Sequence, residues 1–185
     1  MKKAFVHFAE GFEEIEALTI VDVLRRADIP VLMVSVTGKQ TVTGAHGISV
    51  ATDVVFEKAD YSDAEILILP GGQPGSNNLK AHPGLSEKLI EFDKKGSKIA
   101  AICAAPLVLG GLNLLNGKEA VCYPGYENTL TGANIKQIPA VTSGNITTGR
   151  GPGAALNFSL QLVTLLKGKP AADKLAGAML VQTWN

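Results

Sequence analysis

Apolar and polar positions along the chain switch repeatedly between strand-like and helix-like periods. Residues 3–9, KAFVHFA, predict a strand bounded by charge. From Glu13 to Asp28 the apolar residues Ala17, Ile20, Val21 and Leu24 recur at helical spacing, which predicts an amphipathic helix. PVLMVSV, 30–36, is an almost unbroken apolar run, the pattern of a strand covered on both faces. TVTGAHGISVATDVVF, 41–56, alternates around Gly44 and Gly47 and predicts a hairpin or paired edge strands. AEILILPGG, 64–72, predicts a buried strand ending in a Pro-Gly-Gly turn, and LSEKLIEFDKK, 85–95, a helix stopped by Gly96. SKIAAIC, 97–103, is the next buried strand. EAVCY (119–123), PAVTS (139–143) and NITTG (145–149) predict further strands, the last two forming a hairpin across Gly144. AALNFSLQLVTLLKG and AADKLAGAML close the chain as helices. Strands alternating with helices imply an α/β fold with a mainly parallel sheet sandwiched between helices. With no linker, repeat or low-complexity tract, residues 1–185 are read as one domain.

Composition narrows the function. At 46% hydrophobic and 18% charged the chain is too apolar to be disordered. Lys plus Arg equals Asp plus Glu at 17 each, and no basic run occurs, so neither nucleic acid nor an anionic membrane is an expected partner. No window reaches the roughly 18 apolar residues of a membrane span, and the N-terminus lacks a secretory pattern. The expected location is the cytoplasm. There Cys103 and Cys122 have no need to pair, and the NIT triplet at Asn145 is a chance sequon.

Candidate chemistry gathers where KIAAIC runs into AAPLVLGG. A strand turning abruptly into a helix lifts its corner residue, here Cys103, above the carboxyl edge of the sheet, as in a nucleophile elbow. Ala100, Ala101, Ala104 and Ala105 leave room for a tight turn, and Pro106 suits a first helical turn. The helix's positive end is expected to lower the Cys103 pKa and ionise the thiol near neutrality. The N–H of Ala104 is free for an oxyanion, and Gly72 in LPGG offers a second donor. The competing reading is an inert core cysteine, the role assigned to Cys122. Glu10, Glu13, Glu14 and Glu16 also fall at the sheet's carboxyl edge, where carboxylates in a first helical turn need no role beyond complementing the dipole. Glu16 differs in lying between Ile15 and Ala17; buried near Cys103, it would be protonated and able to exchange a proton. His7, His46 and His82 show no metal-ligand spacing, and none adjoins Cys103, so neither zinc nor a conventional Cys–His dyad is expected.

GFEEIEAL, VDVLRRADI, LILPGGQPGSNNL, KIAAICAAP and TTGRGPGAALNF, in this order, resemble the ThiJ/PfpI superfamily, specifically its DJ-one (parkinsonism-associated deglycase) branch, over nearly the whole chain. The resemblance implies a flavodoxin-like α/β/α sandwich, a homodimer and no cofactor. It matches Cys103 to the family's oxidation-prone nucleophile, Glu16 to its protonated glutamate, and Gly72 and Ala104 to its oxyanion donors. The RGPG turn, Arg150 to Gly153, is matched to a family turn of structural character. Members act as glyoxalases or deglycases on methylglyoxal and its adducts, as redox sensors and chaperones, or, in the PfpI branch, as proteases; some carry a thiamine-biosynthesis label. The sequence departs from the pattern at Tyr123, where the branch has a histidine, and at His46, where it often has an arginine facing the partner's site. Ala104 stands where the protease branch carries histidine, which argues against proteolysis. The expected function is cofactor-free glyoxalase III-like lyase or deglycase chemistry on small α-oxoaldehydes. A non-enzymatic cysteine redox sensor, and hydrolase or transferase chemistry on another substrate, remain open.

Overall fold

The computed structural model describes residues 2–182. β1 (Lys3–Phe8) enters the core directly, with every residue from Ala4 to Phe8 buried. α1 (Glu14–Arg26) follows, capped by Glu13, whose side chain accepts the Glu16 N–H at 2.8 Å. β2 (Val31–Ser35) is the apolar run the pattern indicated. The 41–56 stretch divides between two sheets. β3 (Thr41–Thr43) and β4 (Ser49–Ala51) form a separate antiparallel pair, while β5 (Val54–Val55) adds in parallel to β2.

β6 (Ala64–Leu69) is followed by α2 (Gly75–Ala81), which the pattern did not indicate. Its sequence, GSNNLKA, holds residues of poor helix propensity and buries Leu79 as its one large apolar side chain, so no periodic stripe betrays it. α3 (Pro83–Lys94), β7 (Lys98–Ile102) and the short α4 (Pro106–Gly111) come next. EAVCY is a strand only at β8 (Glu119–Ala120), paired with β9 (Asn134–Ile135). Beyond it the Val121 N–H bonds to Thr148 Oγ1 rather than to a strand partner. β10 (Ala140–Ser143) and β11 (Ile146–Gly149) form the expected hairpin across Gly144, whose φ of 63° suits glycine. α5 (Ala155–Lys167) and α6 (Lys169–Ala178) meet at Gly168.

The main sheet has the order β10-β11-β7-β6-β1-β2-β5 and is parallel except for β10 against β11. α1, α5 and α6 pack together, as do α2, α3 and α4, giving the flavodoxin-like three-layer α/β/α architecture. From β1 the chain goes outward to β2, whereas β6 begins the series in the opposite direction. The crevice at the carboxyl ends of these strands is where ligands bind in open α/β sheets. The ends of β1, β6 and β7, three adjacent strands, carry Glu16, Gly71–Gly72 and Cys103.

Candidate active site

Cys103 occupies the corner with φ at 66°, a left-handed conformation that non-glycine residues rarely adopt. Neighbouring strands hold it there. Its N–H donates to the Gly149 carbonyl at 2.9 Å, and its carbonyl accepts from the Tyr123 N–H at 2.8 Å. The residue is 6% exposed, and the N–H groups of Gly72 and Ala104 are near enough to the sulfur to favour its charged form.

The expected ionisation of this thiol is corrected by the structure. Burial, then the charge of Glu16 and a hydrogen bond to it, push the Cys103 pKa up to about 12, against the opposing pull of the Gly72 and Ala104 N–H groups. α4 begins only at Pro106 and is six residues long, too short and too distant to overcome that desolvation. Glu16 is buried beside the thiol, and its pKa is raised rather than held in the ordinary carboxylate range. It is fully buried, and burial raises its pKa to about 7; Glu13's charge adds to the rise, while the Cys103 thiol and the Gly71 N–H, 2.8 Å from Oε2, oppose it. Oε1 has no partner that meets hydrogen-bond geometry. Near neutrality the resting pair is therefore a neutral thiol beside a carboxyl group close to half-protonated.

The four acidic residues separate cleanly. Glu10 Oε2 accepts the Thr43 N–H at 3.0 Å, and Glu13 caps α1. Glu14 Oε1 accepts the His46 N–H at 2.7 Å, and its Oε2 lies 2.8 Å from His46 Nδ1, fastening the β3–β4 turn to the helix start. Burial works against the Glu14 charge, but the bonds from His46 and Ile48 outweigh it and hold the carboxyl below its ordinary pKa. In return, the bond to Glu14 raises the His46 pKa. Only Glu16 faces the thiol. Ligand atoms of Glu13, Glu14 and His46 come within 4.8 Å of one another, yet the two carboxylates are already committed to capping and to the hairpin.

His46 itself is solvent-exposed and makes no bond to Cys103 or Glu16. Tyr123 is tied to Cys103 through its backbone, and its half-exposed ring lies against Gly151, where a Cβ would sit 3.1 Å from it. Gly71 was not singled out in the sequence. A Cβ there would fall 2.5 Å from the Cys103 Cβ and 2.6 Å from Glu16 Oε2, so the first glycine of LPGG is what lets thiol and carboxyl meet. The doubled glycine was the visible signal.

Residues 2–165 match the DJ-1/PfpI family. The chain belongs to that family. Within it the kinship is to the DJ-1 branch of the ThiJ/PfpI superfamily. The chain is 36% identical to protein DJ-1 homolog B of Arabidopsis thaliana over 98% of its own length, and spans under half of that relative, 42%. A structure of oxidized Toxoplasma gondii DJ-1 superposes with a TM-score of 0.94 at 33% identity, covering 99% of this chain and all of that one. A deglycase of Pyrococcus abyssi is 30% identical over 86% of this chain and 96% of its own. Among the described residues no helix is long and apolar enough to cross a membrane.

Proposed function

We propose that the protein is a cysteine-dependent enzyme of the glyoxalase and deglycase type, acting without a cofactor on methylglyoxal, related α-oxoaldehydes or their adducts. The observation that carries this reading is the buried Cys103–Glu16 pair with the Gly72 and Ala104 N–H groups beside the sulfur. Because the thiol rests protonated, Glu16 acts first as a base. Its carboxylate takes the Cys103 proton as Sγ attacks the aldehyde carbon, the carbonyl π bond opens, and a hemithioacetal forms. The Gly72 and Ala104 N–H groups hold the charge that develops on sulfur and on the adjoining oxygen; such a donor contributes about 3 kcal/mol of barrier reduction. Glu16 returns that proton to the new alkoxide oxygen and, again a carboxylate, carries the hydrogen of the former aldehyde carbon to the neighbouring carbon through an enediol, giving a thioester. Water cleaves it to lactate and the free thiol, so methylglyoxal and one water yield one lactate. Kinship to a named deglycase supports the substrate class.

The test is lactate formation from methylglyoxal by the wild type and by Cys103→Ser. Turnover lost in the serine variant supports the reading; a wild type that produces no lactate sinks it. A redox role has its own support in the unpartnered Glu16 Oε1, which in protonated form would donate to a sulfinate oxygen on Cys103. Peptide mass mapping after mild peroxide decides that reading, which fails if Cys103 oxidises no faster than Cys122. The proposed working form is a homodimer. Ile15, Leu18 and Ile48 are exposed at 58%, 37% and 53% around the α1–hairpin junction, an apolar patch suited to a second copy. Sedimentation of wild type against Ile15→Glu tests it, with a dimer expected only for the wild type.

A further inference from the structure

The proposed reaction gives the RGPG turn no chemical task, yet the surroundings of Arg150 are those of a ligand site. A cavity of about 500 Å³ opens beside the elbow, walled by Tyr123, Ile138, Pro139 and Pro152, with Gln137 and Arg150 as its polar members. That volume is within the roughly 300–1,000 Å³ range of small-molecule sites, which combine apolar walls with a few orienting polar groups. Ile138 is 44% exposed and Tyr123 46%, so two large apolar side chains border the hollow without being covered. Arg25 and Arg26 each have a carboxylate partner, Asp53 and Asp22. Arg150 is half-buried and has none among the described residues, although its charge reaches Cys122. An arginine on an apolar wall with no anion of its own presents its planar fork to an external one.

The cavity's wall is tied to the Cys103 backbone at two points. Arg150 directly follows Gly149, whose carbonyl takes the Cys103 N–H at 2.9 Å, and Tyr123 donates its N–H to the Cys103 carbonyl at 2.8 Å. We propose that the cavity seats the carrier portion of a carbonyl adduct, an amphipathic molecule with an apolar body against Ile138, Pro139 and Pro152 and a single carboxylate on Arg150. The inference rests on the reading of Cys103 as the thiol that attacks such adducts, and it names their class: methylglyoxal adducts of small apolar carboxylates, such as apolar amino acids. Apolar walls with one cation and one amide suit a singly charged carboxylate better than a phosphate, whose second charge would find no partner.

Equilibrium binding of 3-phenylpropanoate and of its uncharged analogue 3-phenylpropanamide tests this, by calorimetry with NMR mapping on wild type, Arg150→Met and Gln137→Glu. The wild type is expected to bind the carboxylate about 10-fold more tightly or better, as a charge-assisted hydrogen bond implies, with shifts centred on Tyr123 and Ile138. Arg150→Met is expected to erase the preference. Gln137→Glu, a change at an exposed wall position, is expected to weaken carboxylate binding through repulsion while sparing the amide, and it decides the matter if Arg150→Met does not fold. Equal affinities in the wild type, shifts centred elsewhere, or a preference surviving both substitutions would overturn the proposal. Neither probe carries an aldehyde, so their binding succeeds or fails independently of lactate formation.

Discussion

Replacing Glu16 by glutamine is expected to make the protein more stable and nearly inactive, with the gain confined to neutral and alkaline pH. Burial lifts this carboxyl from 4.5 to about 7. The unfolded chain therefore releases the proton first as pH rises, and the group's stabilising contribution is complete below about 4.5 and lost as pH climbs through about 7. At 1.36 kcal/mol per pKa unit the full loss is roughly 3 kcal/mol. The residue is fully buried, so solvent screening reduces this little. Glutamine keeps an oxygen for the Gly71 N–H and carries no charge to desolvate, so it escapes that cost. In a chain of this size 1 kcal/mol corresponds to about 2–4 °C in Tm, so the variant should melt several degrees above the wild type at pH 8 and close to it at pH 5. Thermal melts at both pH values, alongside lactate formation, make the measurement. A variant that melts below the wild type at pH 8, or that differs from it equally at both pH values, would refute the electrostatic account. Wild-type turnover would remove Glu16 from the chemistry.

The same coupling makes Cys103 a slow thiol. Its alkylation by iodoacetamide should still be accelerating above pH 9 and should quicken at pH 8 in Glu16→Gln, whereas a rate plateau below pH 8 would contradict a pKa pushed up to about 12. Gly71→Ala places a Cβ 2.5 Å from the Cys103 Cβ and is expected to cost about 1–3 kcal/mol and to abolish turnover, read by urea melts and the lactate assay; an active variant would show that thiol and carboxyl need not be so close. His7 lies buried in β1 with Nε2 3.0 Å from the Tyr61 hydroxyl, and burial lowers its pKa from 6.5 to about 4. The unfolded chain takes up that proton first, so His7 should withdraw about 3 kcal/mol of stability as pH falls from 6.5 to 4. Urea melts of His7→Asn across that range should show a correspondingly shallower decline, and an unchanged slope would exclude His7 as its source.

Much of the layered fold could be read from periodicity because its inner strands are short apolar runs and α1 carries a clear stripe. α2 escaped because GSNNLKA is held by packing against its neighbours rather than by its own propensity. EAVCY read as a full strand because its composition is strand-like, yet a threonine side chain and the Cys103 carbonyl take up its N–H groups. The positions of Cys103 and Glu16 were visible as a joint and as an odd member of an acidic cluster. The state of the thiol was not, because desolvation depends on what surrounds the sulfur, and those neighbours come from chain segments far apart in sequence. For the same reason Arg150 looked like part of a turn: an absent partner has no signature in sequence.

The backbone clamp on Cys103 bears on when the protein acquires its chemistry. A corner of unfavourable handedness is kept in place by a bond from the Tyr123 N–H and one to the Gly149 carbonyl, both residues made after the cysteine in order of synthesis. A chain still emerging from the ribosome cannot assemble the corner until β11 has docked beside β7. On the proposed mechanism the corner is complete only when the last strand is seated, so a molecule that turned over would have its sheet closed out to β11.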